Sequence, residues 1–126
     1  MGRTLKLMAP LTLAALLFAG PALATGNAAN GADLFKRCMA CHTFGSGAAN
    51  RIGPNLFGVV GRTSGTLPGY NYSPAMKRAG LVWSEAMLAS YLLAPSKLVP
   101  GTKMPFGGFT QPQQAADVAA YLATLK

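Results

Sequence analysis

The chain has 126 residues, among them 11 Lys or Arg, 3 Asp or Glu, 1 His and 2 Cys, with a formal net charge of +8. That length holds a single small domain, two cysteines exclude a disulfide-dense scaffold, and two Cys, one His and three scattered carboxylates make a poor match to a four-ligand structural zinc site. Nucleic-acid binding is a poor account of the positive charge, because no recognition motif accompanies it and the first residues predict export.

In chain order, Arg3 and Lys6 supply a basic start, Leu7 to Ala19 an apolar middle, and Pro21 a break before the small residues Ala22-Leu23-Ala24. Residues 1–24 therefore read as a signal peptide, cleaved near Ala24, and residues 25–126 as the folded domain. The alternative, a retained membrane anchor, asks for ~20 apolar residues, more than this stretch contains. No later stretch is long enough to span a membrane, so the mature chain is expected to be soluble and periplasmic. Without Arg3 and Lys6 it keeps nine basic residues against Asp33, Glu85 and Asp117, about +6.

Asn30 or Gly31 starts the first expected helix, in which Leu34, Phe35 and Cys38 recur at helical spacing over residues 31–42. It ends on Cys38-Met39-Ala40-Cys41-His42, the Cys-x-x-Cys-His signature of covalent c-type haem attachment. Thiols three residues apart on a helix share a face and reach two vinyl groups on one porphyrin edge. His42, next in line, brings a neutral imidazole to the iron. A thioredoxin-like Cys38–Cys41 redox pair wants a βαβ pattern that is absent, and a Cys–His nucleophilic dyad fails because adjacent helical residues do not face each other. So small a domain buries too little apolar surface for comfort, and one large covalent cofactor would act as core and staple together.

Residues 43–72 are so dense in Gly and Pro that they read as a wrapping loop. A loop of this length fits a compact domain when something other than protein fills the space inside it. Ser73 caps a short helix over residues 74–79, started by Pro74 and stopped by Gly80. Ser84 caps a helix over residues 85–93 with Met87, Leu88, Tyr91 and Leu92 as its apolar stripe, ended by Ala94-Pro95. Thr110 with Gln113 offers a capping box for a last helix to Leu125, with Val118, Tyr121, Leu122 and Leu125 on one face. No convincing strand is found, and the expected fold is all-α.

The second axial position separates a carrier from a gas-binding or catalytic site. Met39 lies inside the attachment motif, Met87 on an apolar stripe and Met76 in a short helix. Met104 sits in the stiff segment Pro100-Gly101-Thr102-Lys103-Met104-Pro105, which suits a thioether held at a fixed distance, although a surface-loop methionine is the alternative reading.

Taken together, the residues resemble class I cytochrome c, in particular the short bacterial relatives of the mitochondrial protein. The resemblance covers nearly all of residues 25–126 and rests on the attachment motif with Gly31-Ala-Asp-Leu-Phe35, Gly53-Pro54-Asn55-Leu56, Gly61-Arg62, Pro68-Gly69-Tyr70-Asn71-Tyr72, Trp83, Tyr91-Leu92, Pro100-Gly-Thr-Lys-Met104 and Tyr121-Leu122. It implies a small cytochrome c fold of helices and loops around one covalent haem c. Cys38 and Cys41 would form the thioethers, with His42 the proximal and Met104 the distal ligand. Pro54 would accept the other imidazole N–H. Tyr72, Trp83 and Thr102 match propionate-bonding positions, Arg62 a neutralising one, and Tyr91 belongs to the haem-contacting set. Gly31, Phe35 and Tyr121 match the crossing of the first and last helices. Met76 departs from the pattern, standing where mitochondrial relatives commonly carry Asn.

The function so implied is a one-electron carrier, not an enzyme, expected as a monomer. Candidate partners are a quinol-oxidising complex, a terminal oxidase, a photosynthetic reaction centre or a periplasmic dehydrogenase, each docking by an acidic surface. By resemblance, Lys36, Arg37, Arg51, Lys97 and Lys103 would lie nearest the exposed haem edge. The rival readings are a haem peroxidase or gas sensor with an open sixth position, and a subunit of a larger oxidoreductase.

Overall fold

A computed structural model describes residues 25–126, together with the isolated positions Gly2 and Ala15. Apart from those two positions, the signal peptide expected over residues 1–24 lies outside the described residues. Among the described residues five α-helices follow one another: α1 (Ala28–Phe35), α2 (Pro74–Ala79), α3 (Glu85–Leu93), α4 (Pro95–Leu98) and α5 (Pro112–Leu122). Among the described residues the only extended pairing is an isolated antiparallel bridge between Thr63 and Val82. The fold is all-α, as expected.

The first helix begins earlier than expected, because Asn27 caps it: its side chain accepts from the Asn30 N–H at 3.0 Å. It also ends earlier, at Phe35, and the chain tightens into a 3₁₀ turn over Lys36–Ala40. The Cys41 N–H reaches the Cys38 carbonyl at 3.1 Å and the His42 N–H reaches the same carbonyl at 2.9 Å. Both bonds end on the Cys38 carbonyl, so Cys38, Cys41 and His42 are gathered into one tight turn.

Serine caps open α2 and α3 as the sequence suggests. Ser73 Oγ accepts from the Met76 N–H at 3.0 Å and Ser84 Oγ from the Met87 N–H at 3.1 Å. Gly80 closes α2 in the left-handed conformation, φ 62°. Pro95, which ends α3, also starts the one-turn helix α4, an element that the sequence reading did not contain. At α5 the capping pair lies one residue further on than expected, with Gln114 Oε1 accepting from the Gln111 N–H at 3.3 Å. Gln113 is drawn off elsewhere: its amide donates to the Thr25 carbonyl at 2.9 Å and to Asp117 Oδ1 at 2.8 Å. The helix stops at Leu122, short of Leu125.

Helix α5 packs against both α1 and α3. At the α1 crossing Gly31 meets the α5 backbone, and a Cβ on it would sit 1.9 Å from the Asp117 carbonyl oxygen. Phe35 is fully buried beside Tyr121, the ring centroids 5.1 Å apart. Asp117 is itself buried at 4 % exposure, and its Oδ1 accepts from the Asn27 N–H at 2.7 Å, which ties the entry to α1 onto α5. Between the attachment motif and α2, Asn55 knots the wrapping loop. Its Nδ2 donates to the carbonyls of Gly45 and Ala48 at 2.9 and 3.1 Å, and its Oδ1 accepts from the Phe57 N–H at 3.0 Å.

The helix crossing makes a direct prediction. Gly31→Ala forces α1 off α5 and lowers stability by about 2–3 kcal/mol, within the range for overpacked sites. Denaturant unfolding of the haem-loaded protein checks it; an unmoved midpoint with an unchanged slope contradicts the packing described.

Candidate haem site

Helices α1, α3 and α5 and the wrapping loop enclose a cavity of about 470 Å³, within the usual range of cofactor pockets. All ten residues assigned to the site from sequence line it: Cys38, Cys41, His42, Pro54, Arg62, Tyr72, Trp83, Tyr91, Thr102 and Met104. They arrive from the 3₁₀ turn, the wrapping loop, the segment before α3, α3 itself and the loop after α4. The other lining is largely core side chains, including Phe35, Leu88, Leu92, Val118 and Leu122.

The imidazole is seated from two sides. His42 Nδ1 lies 2.7 Å from the Pro54 carbonyl oxygen, an arrangement in which Nδ1–H donates and Nε2 keeps its lone pair. Gly53, just before, lies flat against the ring: a Cβ on it would fall 2.3 Å from Cε1 and 2.6 Å from Nδ1. Burial pushes the His42 pKa below its ordinary value, outweighing the Pro54 hydrogen bond that raises it, and this favours the neutral form a metal ligand needs. In the sequence Gly53 stands out only as part of Gly53-Pro54-Asn55-Leu56; its place directly before the proline whose carbonyl accepts from the imidazole is the signal for its steric role.

The thiols of Cys38 and Cys41 are free and half-buried at the same wall. Desolvation raises the Cys38 pKa to about 11, against the opposing pull of the Arg37 charge, so this thiol is protonated at neutral pH. It is their shared position at the cavity wall, three residues apart, that suits both thiols to covalent addition to a group that occupies the cavity. No three His, Cys, Asp or Glu side chains among the described residues gather as a metal cage.

Met104 is half-buried against the core, and its loop is tied to α3. Tyr91 Oη and Thr102 Oγ1 share a 2.7 Å hydrogen bond, and Thr102 Oγ1 also accepts from the Met104 N–H at 3.5 Å. Desolvation raises the Tyr91 pKa, so the phenol stays neutral and able to donate. Trp83 packs on Tyr91 with ring centroids 5.1 Å apart. Arg62 faces the cavity while its guanidinium donates to the Asn55 and Phe57 carbonyls at 3.2 and 2.7 Å. Tyr72 Oη accepts from the Leu67 N–H at 3.3 Å. Met76 is buried on α2 and also reaches the cavity.

The five basic residues expected at the rim are placed differently from one another. Arg37 and Lys103 line the cavity. Arg51 donates to the Met39 and Ala40 carbonyls at 2.8 and 3.2 Å, which braces the attachment turn. Lys36 pairs with Asp33 at 3.0 Å on an exposed face, and Lys97 is exposed on α4. Ile52, also at the cavity, is 68 % exposed, large for an apolar side chain beside charges.

Two thiols, a neutral imidazole presenting one nitrogen and a tethered thioether around an apolar cavity fit a covalently attached haem, and define the chain as a c-type haem protein. The comparisons agree. The cytochrome c family model matches residues 28–126. Cytochrome c2 of Agrobacterium tumefaciens (strain II Chrys) is 49 % identical over 100 residues, covering 77 % of this chain and 90 % of that protein. Cytochrome c of the plant Sesamum indicum is 50 % identical over 98 residues, covering 77 % and 88 %. Among solved structures, cytochrome cH from Methylobacterium extorquens superposes with a TM-score of 0.73 at 46 % identity, over 79 % of this chain and 99 % of that one. The chain belongs to the cytochrome c family, as a class I c-type cytochrome related to the mitochondrial protein. Its cofactor is one covalently bound haem c, and its role is electron transfer.

The seat of the imidazole is testable. Gly53→Ala drives a methyl group into the ring and costs about 1–3 kcal/mol of holoprotein stability. A ferric spectrum that turns partly high-spin accompanies it. Wild-type spectra and stability in this variant contradict the steric role.

Proposed function

We propose that the chain is a soluble periplasmic carrier of single electrons, its haem joined through Cys38 and Cys41 and held axially by His42 and Met104. Bound haem supplies a one-electron iron couple, and His/Met ligation with burial favours the reduced state relative to other axial pairs. The observation that carries this reading is the convergence on one cavity of a tautomer-fixed imidazole and a thioether whose loop is tied through Thr102 to Tyr91. Pro54 and Gly53 hold the imidazole, Tyr91 and Thr102 hold the sulfur's loop, and nothing in this set needs to move when charge changes. A rigid ligand set keeps reorganisation small, and two filled axial positions leave no site for oxygen or peroxide.

Arg62, Tyr72, Trp83 and Thr102 take the propionate side in this reading, and Arg37 and Lys103 contribute positive charge at the mouth. No helix among the described residues is long and apolar enough to cross a membrane. Redox partners of this class dock over small, short-lived interfaces, so the partner is an acidic surface on a quinol-oxidising complex, a terminal oxidase, a reaction centre or a periplasmic dehydrogenase.

Met104→Ala tests the ligand assignment. The ferric variant loses the weak long-wavelength sulfur-to-iron band, the ferrous variant turns high-spin and binds carbon monoxide rapidly, and the potential falls. If the unmodified ferrous protein already behaves that way, the sixth position is open and the peroxidase or sensor reading replaces this one. Electrostatic docking carries its own signature: electron-transfer rate constants with an acidic partner fall about tenfold between low and physiological salt. A rate indifferent to salt removes the acidic partner from the proposal.

A further inference from the structure

The two axial ligands come from loops more than sixty residues apart in sequence, and one side chain outside the assigned set touches both loops. The Tyr70 hydroxyl donates to the Ile52 carbonyl at 2.7 Å, one residue before the glycine that seats the imidazole. Its ring carries the Lys103 ammonium 4.7 Å from the centroid, one residue before Met104. Lys103 also donates to the carbonyl of Asn71, Tyr70's neighbour. The ring is braced from behind by Tyr72, edge-on at 4.7 Å. Tyr70, Ile52 and Lys103 all border the cavity, at its exposed side.

We infer that Tyr70 is a positioning residue, a clip across the cavity mouth that couples the imidazole-seating loop to the loop carrying Met104. The inference rests on the His42/Met104 reading of the site and adds to it a residue that reaches neither ligand directly. Within the Met104 loop the other tie runs from Thr102 to Tyr91 on α3, deeper in the domain. The Tyr70 clip is therefore what links the loop to the imidazole side of the mouth. Without it each loop keeps its other ties, to α3 on one side and to the attachment turn on the other, but loses the one that joins the two loops. Opening of the mouth then becomes easier, and an outside ligand reaches the iron faster without any change in the ligands themselves.

The test uses the haem-loaded mature protein and two variants. Tyr70→Phe keeps the ring for Lys103 and Tyr72 but removes the bond to Ile52; Tyr70→Leu removes both. The rate at which exogenous imidazole displaces the sulfur in the ferric protein, followed by loss of the sulfur-to-iron band, rises about fivefold in Tyr70→Phe, as expected for one lost hydrogen bond, and further in Tyr70→Leu. Lys103→Gln behaves like a loosened clip, and Lys103→Arg restores the wild-type rate because a guanidinium also sits over an aromatic ring. Amide exchange supplies a readout free of ligation: the Gly53 and Met104 amides speed up together in Tyr70→Leu while those of Val118 and Leu122 in α5 stay put. Imidazole entry and both amides at wild-type rates in the two Tyr70 variants overturn the clip, as does faster exchange that includes α5 equally. If the unmodified protein lacks the sulfur-to-iron band, the Met104 assignment fails on its own and the amide exchange alone decides whether Tyr70 couples the loops.

Discussion

The hydrogen bond between His42 Nδ1 and the Pro54 carbonyl is the contact on which the rest of the site depends. It settles which imidazole nitrogen faces the cavity, and with Gly53 lying on the ring it settles the ring's plane as well. Pro54 can accept in that place because the wrapping loop is knotted at the next residue, Asn55, whose side chain takes up three backbone groups of the same loop. The Gly53 N–H returns to the Cys41 carbonyl at 2.8 Å, so the seat is fastened to the attachment turn itself. Loop, turn and imidazole form one closed circuit of hydrogen bonds, and rigidity at the imidazole follows from that closure more than from any single strong contact.

A small domain built around a cofactor has little protein core to spare, and the helices compensate at their crossings. Gly26 and Gly31 both lie where a Cβ would meet the α5 backbone, at 2.1 Å from the Ala116 oxygen and 1.9 Å from the Asp117 oxygen. Close approach there lets Phe35 reach the cavity wall, its ring tilted against Tyr121 and edge-on to Phe44. The core side chains that pack these helices are largely those that line the cavity, so filling it and consolidating the helices are the same event.

Much of this was legible in the residue order, where signals were local. Ser73-Pro74 with Gly80, and Ser84 before an apolar stripe, each marked a helix that formed where marked, and the attachment motif named its own chemistry. The differences arose where several residues competed for one task. Asn27 and Asn30 both suit a cap; Asn27 wins because buried Asp117, ninety positions away in sequence, accepts its N–H. Thr110, Gln111, Gln113 and Gln114 all suit the start of α5, and Gln113 is removed from the contest by Thr25 and Asp117. The early end of α1 and the 3₁₀ turn beyond it, like the steric role of Gly53, depend on what approaches from another loop, and no window of sequence contains that. The loop-to-loop contacts of Tyr70 are of the same kind.

The charge of the domain looks different once its acids are placed. Asp33 is taken by Lys36, and Asp117 is buried as an acceptor for Asn27 and Gln113. Glu85 sits in the first turn of α3, where the helix dipole favours a negative charge. Each carboxylate thus has a structural task away from the cavity, and the mouth is left with Arg37, Arg62 and Lys103 and no acid among its lining residues. The positive field there comes less from an accumulation of lysines than from the absence of anything to cancel it. Arg62 spends its donors on loop carbonyls and Lys103 on the Asn71 carbonyl, so the same charges that border the cavity also hold the loops in place. Fixed in this way, both charges stay beside the cavity without an acid to hold them there.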